Sequence, residues 1–169
     1  MLSILLAVSV SFNIKPDTGS LWFLIFKSAN TGPTYNTFHH IKEAQQLATG
    51  KGIKVGITGK YFGYSKNRDI YAGGKDFVDN QAGFKDIAEH GLWMATTLKE
   101  IAPTVEVYAL YARDNNRDKE SVAIVKAVDL AIENNLDVLT YSAEAFRDED
   151  RNKIDKAVNK AIAKHVHIQ

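Results

Sequence analysis

From Phe38 onward the apolar residues switch repeatedly between every-second and every-third-or-fourth spacing, and that alternation restricts the chain to few folds. Ile41, Ala44 and Leu47 recur at helical spacing, and the pattern stops at Gly50. Residues 53–58 are a short β-branched run between glycines and read as a strand; a loop holding Gly63, Gly73 and Gly74 is expected after it. Phe84, Ile87, Gly91, Met94 and Leu98 then fall on one helix face, ended by Pro103. Residues 105–111 alternate as a strand, and Val122, Val125, Val128 and Ile132 form a helical stripe closed by Asn134-Asn135. A strand at 136–141, a helix carrying Ile154, Ala157, Val158, Ala161 and Ile162, and a strand at 166–168 complete the series. Such alternation predicts βαβ units and an α/β domain with a mainly parallel sheet. Ligands of these sheets sit beyond the carboxyl ends of the strands, so a site is expected around residues 59–61, 112–115 and 142–144.

The first 37 residues follow another pattern. Two apolar runs, 2–14 and 21–26, flank Pro16-Asp17-Thr18-Gly19, which is good turn chemistry for a strand pair. Residues 2–12 also have the length of a signal-peptide apolar region, although no Lys or Arg precedes them; a signal-like segment and a buried strand both remain open. The polar stretch 28–37 marks a boundary, dividing an N-terminal apolar extension (1–37) from a domain at 38–169.

Composition removes whole classes of function. With 21 Lys and Arg against 20 Asp and Glu, the net charge of +1 offers nothing to draw nucleic acid. The absence of cysteine excludes disulfides, a Cys-ligated zinc and a thiol nucleophile. No run approaches the ~18 apolar residues of a membrane span. Thr58-Gly59-Lys60 follows a strand as a phosphate loop does, but Lys54 stands where that loop needs its first glycine and Tyr61 where it needs Ser or Thr.

Most remaining polar features have bland explanations. His165 and His167 would share one face of a strand, yet no third metal ligand is in view, and His39-His40 point apart on a helix. The run 113–120 reads as a solvated mixed-charge loop with Asn116 or Asp118 capping the next helix. The Lys and Arg residues of 151–164 lie opposite an apolar stripe, on an exposed face. His90 stands apart. It sits in the first turns of its helix, beside Gly91 and just off the apolar stripe.

Taken in order, several segments over 41–169 resemble the subtilisin-like serine proteases (subtilases). Residues 52–62 (GIKVGITGKYF) resemble the strand V-A-V-I-D-[ST]-G, and Gly73 to Val78 the G-G-x-x-F-V segment. His90-Gly91-Leu92-Trp93-Met94-Ala95 is similar to H-G-T-H-V-A, residues 102–109 to A-P-x-A-x-[LI]-Y-A, and residues 127–140 to G-I-E-W-A-I-x-N-x-x-D-V-I-N. Ser142 falls on the serine of S-L-G-G, and residues 155–163 follow the A-V-D-K-A-V-A helix.

The resemblance implies a subtilisin-like three-layer domain, incomplete at its C-terminus, and a partial peptidase domain at 38–169. It makes His90 the general base and Ser142, Ala143 and Glu144 the peptide-pairing strand, whose glycines are lost and whose Glu144 obstructs or repels a peptide. Calcium belongs to many members, but no ligand can be assigned, so no cofactor is expected. Peptides or proteins are the implied partners, and the resemblance together with the apolar N-terminus favours an extracellular or cell-envelope location.

The departures decide the chemistry. The position of the family's catalytic Asp is Gly59, which offers neither acceptor nor charge, and Trp93 replaces the second histidine. The sequence ends before the family's oxyanion-hole Asn and its G-T-S-M-A serine. Acyl transfer needs a carboxylate to orient the imidazole and a hydroxyl to attack, so no peptidase activity is expected. Two alternatives stand beside a lapsed protease: a non-catalytic module docking extended peptides beside Ser142 and Tyr111, and one fragment of an interrupted subtilase. A sheet cut at this point leaves an edge and part of a face bare, which the apolar runs of the first 37 residues are expected to cover.

Overall fold

The computed structural model describes residues 39–140 and 148–169. The apolar runs 2–14 and 21–26, the stretch 28–37 and the expected peptide-pairing residues Ser142, Ala143 and Glu144 lie outside the described residues. Two compact units divide the chain, Met1–Thr49 and Gly50–Gln169.

In the first unit, helix α1 (Ile41–Leu47) follows a turn in which His40 takes a left-handed φ of 53°. The helical spacing of Ile41, Ala44 and Leu47 is realised, but not as one buried stripe, since Ile41 is 4% exposed and Leu47 90%.

The second unit is built on a five-stranded sheet. Its strands are β1 (Lys54–Gly59), β2 (Gly73–Asp76), β3 (Glu106–Tyr111), β4 (Val138–Thr140) and β5 (His167–Ile168), in the order β2-β3-β1-β4-β5. Every pairing is parallel; Val55 stands level with Val107 on one side and Val138 on the other, and Gly59 with Tyr111. Three helices connect them, α2 (His90–Ile101), α3 (Arg117–Glu133) and α4 (Asp148–Ala163).

Because strand side chains alternate between faces, the sheet feeds two cores. Val55, Ile57, Val107, Ala109 and Tyr111 join Phe62, Phe84 and Ala95 of α2 in one. Leu110 and Leu139 join Ala123, Ile124 and Val128 of α3 and Ile154, Ala157 and Ala161 of α4 in the other. The architecture is therefore helix, sheet, helix, an α/β fold with a parallel sheet. Gly56 sits between the second core's leucines, where a Cβ would lie 2.8 Å from Leu136 Cδ1 and 2.9 Å from Leu139 Cδ1. No helix among the described residues is long and apolar enough to cross a membrane.

Three expectations need correcting. The loop expected to contain Gly73 and Gly74 becomes edge strand β2 at that point, paired to β3 from Gly73–Tyr108 to Asp76–Tyr111. Its glycines permit this closeness, since a Cβ on Gly74 would lie 2.8 Å from the carbonyl oxygen of Ala109. The helix expected to carry Phe84 and Ile87 begins only at His90; Ala82–Asp86 form one π turn, and Ile87 is extended (φ −84°, ψ 122°). What breaks it is the chain after β1, because Phe62 N–H donates to Gly83 O, Gly63 N–H to Ile87 O, and Phe62 bridges Ala88. His165 and His167 do not share a strand face either. His165 is left-handed (φ 64°) in the turn closing α4, and only His167 reaches β5.

Candidate active site

β1 delivers Gly59 to the carboxyl edge of the sheet, and the chain turns at once, with Tyr61 in the left-handed region (φ 63°). That turn exposes two carbonyls, to which the start of α2 is tied. Glu89 N–H donates to Tyr61 O and Gly91 N–H to Lys60 O, each at 2.8 Å. Buried Phe62 supports this joint from below, and only glycine fits over it. A Cβ at position 91 would stand 2.7 Å from Phe62 Cδ1 and 2.8 Å from Lys60 O. His90 is thereby held as the first residue of α2, directly beside the end of β1.

A β-carbon built on Gly59 lies 3.9 Å from His90 Cδ2, with Phe62 Cζ at 3.6 Å the nearest atom. The two positions singled out in the sequence are thus adjacent in space, and a β-carbon at position 59 would fit there in ordinary contact with the Phe62 ring and the imidazole. His90 is exposed as a residue, yet its ring has enough protein around it for partial loss of hydration to lower its pKa below 6.5. The cations Arg113 and Lys60 lower it further, and Glu89 is the one carboxylate that opposes them. A buried imidazole–carboxylate pair would carry the opposite sign.

Next to this joint, the carboxyl ends of β1 and β3 enclose a polar cleft of about 290 Å³. Lys60, Tyr61, Tyr111, Arg113, Asp114 and Asn115 line most of it, from the two chain segments where a parallel sheet presents its ligand edge. Its floor is fixed by Tyr111, 2% exposed, whose hydroxyl accepts from Asn80 Nδ2 at 3.2 Å. Asn80 Oδ1 in turn accepts Gly83 N–H, and a Cβ on Gly83 would collide with the Tyr111 hydroxyl. Burial, then the neighbouring Tyr61 and Asp76, push the Tyr111 phenol up to about 12, so it serves as a neutral hydrogen-bonding group.

The run 113–120, expected as a solvated loop, is solvated only in part. Arg113 Nε stands 2.7 Å from Glu120 Oε1, and Glu120 is 1% exposed. Beside it Ser121, equally buried, donates to Asp150 Oδ1 at 3.1 Å and ties α3 to α4. The sequence reading missed this cluster although a signal existed, since Glu120 lies three and four residues before buried Ala123 and Ile124, on the same helix face. Of the two candidate caps for α3, Asn116 is the one used, accepting from Asp118 N–H at 3.0 Å and Lys119 N–H at 3.3 Å. Among the described residues no group of three or more His, Asp or Glu side chains could hold a metal ion.

No family model matches the chain. The minor extracellular protease Epr of Bacillus subtilis (strain 168) is 29% identical over 137 residues, covering 75% of this chain and 21% of the relative. The thermostable alkaline protease of Halalkalibacterium halodurans is 24% identical over 122 residues, covering 66% of this chain and 33% of the relative. The chain therefore spans between a fifth and a third of these curated relatives. Among solved structures, MycP1 with its N-terminal propeptide removed superimposes with a TM-score of 0.61 at 23% identity, over 79% of this chain and 47% of that one. A lanthipeptide protease gives 0.51 at 20% identity, over 85% and 44%. The chain is similar to subtilisin-family proteases, and its fold is the subtilisin-like α/β fold.

Proposed function

We propose that this chain is a subtilisin-like protease domain that has lost acyl-transfer chemistry and keeps a peptide-facing cleft. The observation that carries the reading is the placement of Gly59. It stands beside His90, where the family's acid is expected, and supplies no oxygen to the imidazole. A base in that chemistry must be held in one tautomer and must have its developing positive charge offset. Partial burial of the His90 ring, and then the nearby Arg113 and Lys60, instead disfavour the imidazolium that proton abstraction would create. In subtilisin itself, loss of the triad's Asp alone costs on the order of 10⁴ in turnover, and that enzyme's loss sets the scale to expect.

Peptides or proteins are the ligands this reading assigns to the cleft, by analogy with the protease relatives. An extracellular location follows the same line, since one relative is named an extracellular protease. The test is hydrolysis of a casein or fluorogenic peptide substrate by the purified 169-residue chain. No cleavage above a buffer control is expected; cleavage that disappears in His90→Ala would overturn the proposal.

A further inference from the structure

β2 closes one end of the sheet, paired to β3 on one side and to no strand among the described residues on the other. Ala72 N–H donates to Val107 O at 2.8 Å, so by strand alternation the N–H groups of Gly73 and Lys75 point away from β3. Gly74 and Lys75 are exposed, and the two glycines leave half of this edge bare of side chains. Lysine ordinarily shields such an edge. Here Lys75 is laid along its own chain instead, its Nζ 5.5 Å from the centroid of the Phe77 ring. Alongside the edge, between β2 and α3, runs a groove of about 410 Å³. Half-buried Phe77 and Leu130 give it apolar surface, and around them Asp76, Asp79, Asp129 and Glu133 outnumber Lys75 and Lys126. Two of these acids are engaged. Asp129 holds Lys160 of α4 at 2.8 Å, and Asp76 accepts from Val78 N–H and from the Gln81 amide. The side chains of Asp79 and Glu133 have no hydrogen bond or ion pair among the described residues.

We propose that the open edge of β2 docks an extended peptide as an added strand, and that the groove beside it selects an Arg or Lys side chain of that peptide. An added strand pairs the outward N–H and C=O groups that β2 otherwise leaves to water. Its alternate side chains lie on the α3 side of the sheet, the side on which a Cβ at Gly73 would meet the Tyr108 ring at 3.0 Å. Tyr108, Phe77 and Leu130 all pack on the core shared with α3. The stem of a long basic side chain finds apolar surface there, and its head finds the carboxylates of Asp79 and Glu133. This site is separate from the cleft lined by Lys60 and Arg113 and does not depend on the reading of that cleft.

Matched peptides test this. Acetyl-Thr-Val-Arg-Val-Thr-amide and its citrulline counterpart differ by one charge at nearly constant shape. Binding to the whole chain is followed by backbone NMR shifts at 73–79 and 126–133. The Arg peptide should shift both segments and bind roughly tenfold more tightly than the citrulline peptide, the size of one charge-assisted hydrogen bond. Asp79→Asn combined with Glu133→Gln should bring the two peptides close to parity. Lys75→Pro removes an outward N–H while keeping the pairing to β3, and should abolish binding. A peptide methylated on every backbone nitrogen tests the same pairing on the unaltered chain and should not bind. Binding that survives methylation would refute strand addition. Equal affinity of the Arg and citrulline peptides would refute selection of a basic side chain. Shifts confined to 59–61 and 111–115, or no shift at all, would overturn the site, the first while leaving the cleft reading intact.

Discussion

At the residue scale, the site turns on the difference between a carboxylate and a hydrogen atom at position 59. Gly59→Asp should fold, because its Cβ meets nothing closer than 3.6 Å. A carboxylate within reach should raise the His90 pKa above that of the unaltered chain, measured by NMR titration of the ring. The unaltered His90 has the opposite linkage. Its folded pKa lies below 6.5, so the unfolded chain binds the proton more readily near pH 6. Its contribution to stability is therefore complete above about pH 6.5 and is lost as pH falls through the lower, folded value. Urea midpoints compared between the natural chain and His90→Gln should diverge only on the acid side of that window.

At the scale of elements, glycines set how closely segments meet at the ligand edge. Gly91→Ala forces a Cβ against Phe62 and the Lys60 carbonyl, a fully buried ring and a fixed backbone. A cost of about 1–3 kcal/mol in urea denaturation is expected, together with displacement of His90 from the end of β1. Asn116→Ala removes the cap of α3 and should cost about 1 kcal/mol. Among these elements β1, β3, α3 and α4 were legible from β-branched runs and i, i+3, i+4 stripes. Two stripe members nonetheless miss the buried faces, Val122 of α3 at 49% exposed and Ile162 of α4 at 54%, because the core takes Ala123, Ile124 and Ala127 on α3 and Ala157 and Ala161 on α4 instead. β2 escaped because Gly73-Gly74-Lys75-Asp76 has no apolar period, its place in the sheet being set by backbone pairing to β3. The true start of α2 escaped because Phe84 and Met94 continue a helical spacing across a break made by hydrogen bonds from residues 62 and 63, a non-local cause.

For the whole molecule, the sheet is the partition between two cores, and substitutions should sort by face. Leu139→Ala, fully buried in the core shared with α3 and α4, should cost about 2–5 kcal/mol by denaturant unfolding. It should leave the His90 titration unchanged, because that ring belongs to the other side of the sheet's edge. Motif order drew attention to Gly59 and His90 together, while the buried Arg113–Glu120 and Ser121–Asp150 contacts were not foreseen. The helical spacing of Glu120 to Ala123 and Ile124 marked its side as buried, but its partner Arg113 lies before the helix, and Ser121 and Asp150 meet only once α3 and α4 pack. The central claim, an imidazole without an orienting acid, is tested most directly by the pH titration of His90 in the unaltered, ligand-free chain. A midpoint below 6.5 with no low-field shared-proton resonance is predicted; a midpoint above 6.5 accompanied by that resonance would contradict it.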